Sequence, residues 1–189
     1  MFKKNLRAIY LLKRQQLSQY ESNIAFDFFY NILIKKIDFT AINNIATYLP
    51  IEKFAEIDAL KITQKLQQQY PVLKIYVPKI NVNNTMEFYL LNKNTNFAKN
   101  KWGVKEPVNQ KAIPPINIQA LIIPLLCFTP NGNRVGYGKG FYDNYLKRCH
   151  PNVLKIGLSY FEPINLIIDV NPNDVPLTWC ITPTTVYEF

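Results

Sequence analysis

One histidine, three cysteines and six glycines among 189 residues leave little room for several common chemistries. Cys127, Cys149 and Cys180 are odd in number and far apart, with no Cys-x-x-Cys pair. That argues against a disulfide framework or a zinc site and suits a reducing compartment, the cytoplasm. The lone His150 precedes Pro151 just past a helical segment and reads as a surface or capping residue. With no histidine near any candidate nucleophile, a Ser–His or Cys–His pair is not on offer. No apolar run approaches the ~18 residues of a membrane span. Acids are scarce as well, and none precedes Glu21. A basic, acid-free opening is one property of an organellar presequence, but its periodicity reads better as a structural helix.

What is present is a globular composition, 48% hydrophobic and 19% charged, of a length that fits one domain with a single core. The net charge of +9 suits an anionic partner. A nucleic-acid-binding module is the obvious alternative, but such surfaces cluster their charge with exposed aromatics. Here the lysines are scattered, and most of the 12 tyrosines and 12 phenylalanines sit in apolar segments. A small polyanionic ligand is the reading adopted, with neither nucleic acid nor membrane as partner and a monomer expected.

Four of the six glycines, Gly132, Gly136, Gly138 and Gly140, fall within nine residues. An apolar run, Ala120–Phe128, precedes them and reads as one buried strand; Phe141, Tyr145 and Leu146 follow at helical spacing. Strand, glycine loop and helix together form a phosphate-binding arrangement, because glycine admits the backbone close to a ligand and free N–H groups then face the anion. The loop is neither a P-loop nor a dinucleotide fingerprint: Gly-Tyr-Gly-Lys-Gly lacks the Gly-Lys-Ser/Thr ending, and Phe141 occupies the place of a third fingerprint glycine. A tight turn alone needs no charges, yet Arg134, Lys139 and Asp143 surround this one.

Phe2–Leu17 reads as a helix with Phe2, Leu6, Ile9 and Leu12 on its apolar side and Lys3, Arg7 and Arg14 on another. Ser18-Gln-Tyr-Glu21 is a capping box that opens a second helix. A strand over Ile42–Leu49 leads through a loop to a third helix over Glu56–Gln69. Strands follow at Val72–Ile80 and Met86–Leu91, with Asn92–Asn100 and Asn109–Asn117 as loops. Val153–Tyr160 is a further strand, and Trp179–Val186 an edge strand. Apolar strands alternating with helices predict an α/β fold: a single-domain open, mainly parallel sheet with helices on both faces. Ligands in such sheets bind at the carboxyl ends of strands. Glu56, Lys79 and the glycine loop each follow a strand, so all three are expected to open onto one crevice.

Gly132-Asn-Arg-Val-Gly-Tyr-Gly-Lys-Gly-Phe-Tyr-Asp143 resembles the signature loop of the 5-formyltetrahydrofolate cyclo-ligases, with Val135 and Phe141 as conservative departures. Lys3-Lys-Asn-Leu-Arg7, Glu56-Ile-Asp58, Tyr76-Val-Pro-Lys79, Gly103-Val-Lys-Glu-Pro107 and Asp174 are similar to further elements of that family; Ala59 and Thr178 depart from it. The resemblance implies ATP-driven, Mg²⁺-dependent conversion of 5-formyltetrahydrofolate to 5,10-methenyltetrahydrofolate, with ADP and phosphate released. It implies an ATP site of Lys3, Arg7, Arg134, Val135, Gly136, Tyr137, Gly138, Lys139, Gly140, Phe141 and Tyr142, in which Lys139 and Arg134 are catalytic. Tyr48, Leu49, Glu56, Trp102, Tyr137 and Phe141 would contact the folate, and Asp143 and Asp174 the Mg²⁺. Trp102 reads equally well as a core aromatic. A different phosphate-handling enzyme, such as a sugar-phosphate isomerase, is the alternative within enzymes.

Overall fold

The computed structural model describes the chain except residues 101–103 and 109–110, and the side chain of Gln19. Five parallel strands form the middle of a seven-stranded sheet: β1 (Asn44–Ala46), β2 (Lys74–Ile80), β6 (Ala120–Ile123), β9 (Leu154–Leu158) and β10 (Trp179–Ile181). β3 (Met86–Leu90) and β11 (Val186–Glu188) close its two edges antiparallel, and the order is β11-β10-β9-β6-β1-β2-β3. Helices α1 (Lys3–Gln15), α2 (Gln19–Lys36), α3 (Ala59–Gln69) and α4 (Phe141–Leu146) surround it. Two short hairpins complete the set, β4 (Phe97–Lys99) with β5 (Lys105–Pro107), and β7 (Cys127–Phe128) with β8 (Arg134–Val135).

Strand periodicity divides the core between the faces. Ile45, Ile75, Ala120, Ile122, Ile156 and Ile181 point to one side, where they meet Phe29 and Leu33 of α2 and Ile62 and Leu66 of α3. Their neighbours Ala46, Tyr76, Leu121, Ile123 and Cys180 point to the other, against Tyr145 and Leu146 of α4 and the edge residues Met86 and Phe88. Both faces are therefore covered, as a mainly parallel sheet requires. No helix among the described residues is long and apolar enough to cross a membrane.

Four expectations from the sequence are corrected. The run Ala120–Phe128 is two strands, because Pro124 cannot donate to the ladder; beyond it the chain turns into the β7–β8 hairpin. Trp179–Val186 is likewise two strands: β10 is interior, paired with β9 and β11, and only β11 is an edge. The third helix begins at Ala59, where the Asp58 side chain accepts from Lys61 N at 2.9 Å and caps it, so Glu56 and Ile57 remain in the preceding loop. Asn92–Asn100 contains β4.

Helix α1 is rotated away from its hydrophobic pattern, and of the four apolar-side residues only Leu6 is buried. Phe2 is 55% and Leu12 61% exposed, and Ile9 is exposed too, whereas Leu6 and Arg14 are buried. The side applied to the protein carries Lys3, Leu6, Arg7, Tyr10 and Arg14, one helical face at spacings of three, four and seven residues. Polar acceptors on the glycine loop and its neighbours, described below, outweigh the apolar stripe in setting this rotation.

Gly157 in β9 fits because the space over it is filled. A methyl group there would lie 2.6 Å from Leu125 and 2.7 Å from Leu177, both core side chains. Gly157→Ala should therefore destabilise the fold by about 1–3 kcal/mol. A lower denaturant midpoint at unchanged m-value is the expected reading, and an unmoved midpoint would show that this packing yields without cost.

Candidate active site

The strand order reverses between β1 and β6: the chain leaves β1 through α3 to β2 on one flank, and leaves β6 through α4 to β9 on the other. Such a switch point opens a crevice at the carboxyl ends of the strands. A cleft of about 430 Å³ lies there. Tyr48 and Leu49 line it beyond β1, Pro124 beyond β6, Pro78 and Ile80 from β2, and Gly136–Tyr142 from the glycine loop. Phe54 and Glu56 enter from the loop before α3, and Val104, Lys105 and Glu106 from the β4–β5 hairpin. Lys79 does not line it. The residue sits within β2, opposite Glu87, and the period of two turns its side chain away from Pro78 and Ile80, over the Tyr89 ring at 5.9 Å.

The glycine loop has the conformation its composition suggests. Gly138 and Gly140 adopt φ of +85° and +69°, and Gly140 precedes the first residue of α4. Among the described residues, the backbone N–H groups of Tyr137 to Phe141 donate to no protein acceptor. They are available to an anion, with Lys139 exposed beside them. Arg7 lies beneath: its Nε donates to Gly136 O at 2.9 Å, and its guanidinium carbon would be 2.8 Å from a methyl group at Gly138. Gly138 thus serves two needs, a left-handed backbone and close approach of a cation.

Glu56 is held on the far wall. Its Oε2 accepts from Ile51 N at 2.6 Å, and its Oε1 accepts the Tyr137 hydroxyl proton. Burial pushes its carboxyl up from the usual range, against the pull of Tyr137, Ile51 and the Arg14 charge. The phenols around it are shifted the same way. Burial, with the Glu56 charge, raises Tyr48, Tyr137 and Tyr142, so all three remain protonated donors. Tyr48 donates to Ile57 O at 2.8 Å and so braces the loop that carries Glu56.

The remaining candidates do not all face the cleft. Arg134 lines it yet is buried and committed: it donates to Asp143 Oδ1 at 2.7 Å and to Val175 O. Val135 points its side chain into a small cluster with Leu6, Cys127 and Ile167, leaving only its backbone near the loop. Lys3 pairs with Asp174, and neither lines the cleft. Asp143 also accepts from Val175 N at 3.0 Å, which brings the two aspartates onto adjacent residues' contacts. Trp102 lies outside the described residues.

Among the described residues no group of three metal-binding side chains occurs. Mg²⁺ bound with a nucleotide needs fewer, since one or two carboxylates plus phosphate and water complete its shell. Among the described residues, Asp143 accepts through Oδ1 and Asp174 through Oδ2, and the second oxygen of each has no protein donor. The pair fits that mode of binding. Sequence reasoning overlooked Arg14, whose only signal was its place seven residues after Arg7 on the basic face.

Uncommitted loop amides, a half-buried carboxylate and aromatic walls thus lie together at the strand-order reversal of an α/β fold. The profile of the 5-formyltetrahydrofolate cyclo-ligase family matches residues 2–183. A 5-formyltetrahydrofolate cyclo-ligase of Mycoplasma genitalium is 31% identical over 160 residues, 84% of each chain. A probable 5-formyltetrahydrofolate cyclo-ligase of Schizosaccharomyces pombe is 29% identical over 127 residues, 59% of this chain and 62% of that protein. The fold is similar to the 5,10-methenyltetrahydrofolate synthetase of Aquifex aeolicus, with a TM-score of 0.83 at 26% identity, covering 100% of this chain and 93% of that one. For a synthetase from Mycoplasma pneumoniae the TM-score is 0.74 at 25% identity, over 96% and 98% of the two chains. The chain belongs to the 5-formyltetrahydrofolate cyclo-ligase family and is an enzyme.

The two cations expected at the phosphates should separate in a stability experiment. Arg134→Met leaves Asp143 half-buried without its partner and should cost about 3 kcal/mol or more. Lys139→Ala, at an exposed side chain, should stay within about 0.5 kcal/mol of wild type. Equal denaturation midpoints for the two variants would mean that the Arg134–Asp143 pair does not fasten the hairpin.

Proposed function

We propose that the protein converts 5-formyltetrahydrofolate to 5,10-methenyltetrahydrofolate while ATP becomes ADP and phosphate. The observation that carries this reading is the meeting of Glu56 and the glycine loop in one cleft. A carboxylate accepts paired N–H donors, as the 2-amino-pyrimidinone edge of a pterin presents them. Tyr48, Leu49, Phe54, Tyr137 and Phe141 give the flat ring apolar walls. The free loop amides and Lys139 hold the nucleotide phosphates, with Arg7 beneath the loop and Lys3 adding positive charge. Asp143 and Asp174 hold Mg²⁺, which neutralises charge on the phosphate oxygens when bound.

The formyl amide is a poor electrophile and its oxygen a poor leaving group. In the proposed sequence that oxygen takes the γ-phosphoryl group and ADP leaves. N10 then attacks the activated carbon, the C–O bond breaks, phosphate departs and N10 gives up its proton. Phosphoryl transfer asks chiefly for positioning and charge neutralisation, and no protein nucleophile is needed. The thiols are unsuited to that role: all three are buried, and burial pushes Cys127 up to about 12 and Cys149 to about 11. Three free cysteines accord with a reducing cytoplasm, and we read the chain as one domain acting as a monomer on small molecules, not on nucleic acid.

The direct test is methenyl-folate absorbance on adding 5-formyltetrahydrofolate and Mg·ATP to purified protein; none would be seen from a sugar-phosphate isomerase. Lys139→Ala should lower kcat/KM for ATP by a factor corresponding to about 2–4 kcal/mol of transition-state stabilisation. An unchanged value removes Lys139 from the site.

Formyl-oxygen phosphorylation also fixes the fate of one atom. Substrate carrying ¹⁸O in the N5-formyl group should deliver it to inorganic phosphate in a single turnover, read by mass spectrometry. Unlabelled phosphate, with methenyl-folate still formed, would overturn the mechanism.

A further inference from the structure

Arg14 is 4% exposed, and its guanidinium is spent on three separate segments. Nε donates to Phe54 O at 2.7 Å in the loop before α3, and one terminal nitrogen donates to Leu125 O at 3.2 Å beyond β6. The other terminal nitrogen donates to the Tyr137 hydroxyl at 2.6 Å. That hydroxyl has one proton. Because it accepts from Arg14, its own proton goes to Glu56 Oε1. The phenol is fixed in place as well as in direction: the Phe54 ring stacks on it at 5.3 Å with planes 24° apart. A planar fork is what satisfies three acceptors in fixed directions; a lysine ammonium does not match it.

We propose that Arg14 is a positioning residue of this site, acting through the Tyr137 hydroxyl to hold Glu56 in its ligand-accepting orientation and to join the glycine loop to the folate-binding loop. The inference rests on the function proposed above and extends it to a residue outside the ligand's reach. Its consequence is electrostatic. Glu56 faces Arg14 from α1, Tyr137 from the glycine loop, Tyr48 beyond β1 and Tyr142 from α4. Lys53, Lys105, Glu106, Arg134 and Lys139 line the same cleft. Burial favours the protonated carboxyl, while Tyr137 and Arg14 favour the ionised one that can accept two N–H donors. Acidification therefore weakens folate binding, and removing either group starts that loss at a higher pH.

Two measurements test this on the intact protein. The first is a ¹³C NMR titration of the Glu56 carboxyl, its resonance identified by absence in Glu56→Gln. The second is calorimetric binding of 5-formyltetrahydrofolate across pH, without nucleotide. Tyr137→Phe keeps the stacked ring and loses the hydroxyl; Arg14→Met loses both charge and fork; Arg14→Lys keeps the charge alone. In Tyr137→Phe and Arg14→Met the carboxyl midpoint and the acid limb of binding should move up together. Affinity at pH 7 should fall about tenfold, the scale of one lost hydrogen bond to a charged group. Arg14→Lys should lie between these and wild type. A general packing defect would instead lower affinity evenly at every pH. Should Arg14→Met fail to fold, Tyr137→Phe still decides the matter. Unmoved midpoints and acid limbs, with Glu56→Gln unable to bind folate, overturn the relay and leave the proposed function standing. Wild-type protein that binds no 5-formyltetrahydrofolate overturns the proposed function, and with it the role given to Arg14.

Discussion

A buried guanidinium must have its donors met, and Arg14 finds its acceptors on three segments that are far apart in the chain. That demand organises the cleft. It sets the rotation of α1, brings the loop before α3 against the glycine loop, and ties both to the end of β6. The alternative rotation would bury Phe2, Ile9 and Leu12. It would also leave the carbonyls of Phe54, Leu125 and Gly136 without their Arg14 and Arg7 donors, at about 1–3 kcal/mol for each buried group. The observed rotation meets those acceptors and leaves three apolar side chains exposed.

Much of the candidate site was legible because its chemistry is local in sequence. The glycines, Lys139 and the following helix lie within one short stretch, and glycine at 138 and 140 permits the positive φ found there. The parallel core strands were legible from their apolar runs. Features that depend on three-dimensional neighbours were not. Periodicity placed Arg14 on a basic face, but nothing in the helix itself says that this face meets carbonyls. The break at Pro124 is carried by the proline itself, whereas the interior position of β10 depends on which strand lies alongside, and an apolar run carries no such information. Lys79 shows the finer limit: the strand was recognised, while the side facing the cleft turned on a one-residue register.

The charges around the loop divide into two kinds, and composition alone could not separate them. Arg134 and Lys3 are each matched by an aspartate, so they brace the β8 hairpin and the amino-terminal helix against the segment ending at Val175. Lys139 is exposed and makes no such pair among the described residues, and the loop amides beside it are equally uncommitted. Lys139 would therefore offer an arriving anion a positive charge that no acid in the described residues already neutralises. A cation arriving with such an anion would find the second oxygen of each aspartate, beside Lys3 and Arg134.

The two ends of the cleft are joined through one residue. Tyr137 lies within the loop that would hold phosphates, yet its hydroxyl is hydrogen-bonded to the carboxylate that would hold the pterin. Any movement of the loop onto a nucleotide is transmitted to Glu56 through one short contact, not through a long chain of packed side chains. Coupling of this kind is reciprocal, so a folate that fixes Glu56 must favour the same loop conformation that the nucleotide selects, or oppose it to the same degree. Arg14 restricts how far the loop can travel, because its other two bonds anchor it to Phe54 and Leu125. The glycine loop, the loop before α3 and the end of β6 are thus joined through one buried cation.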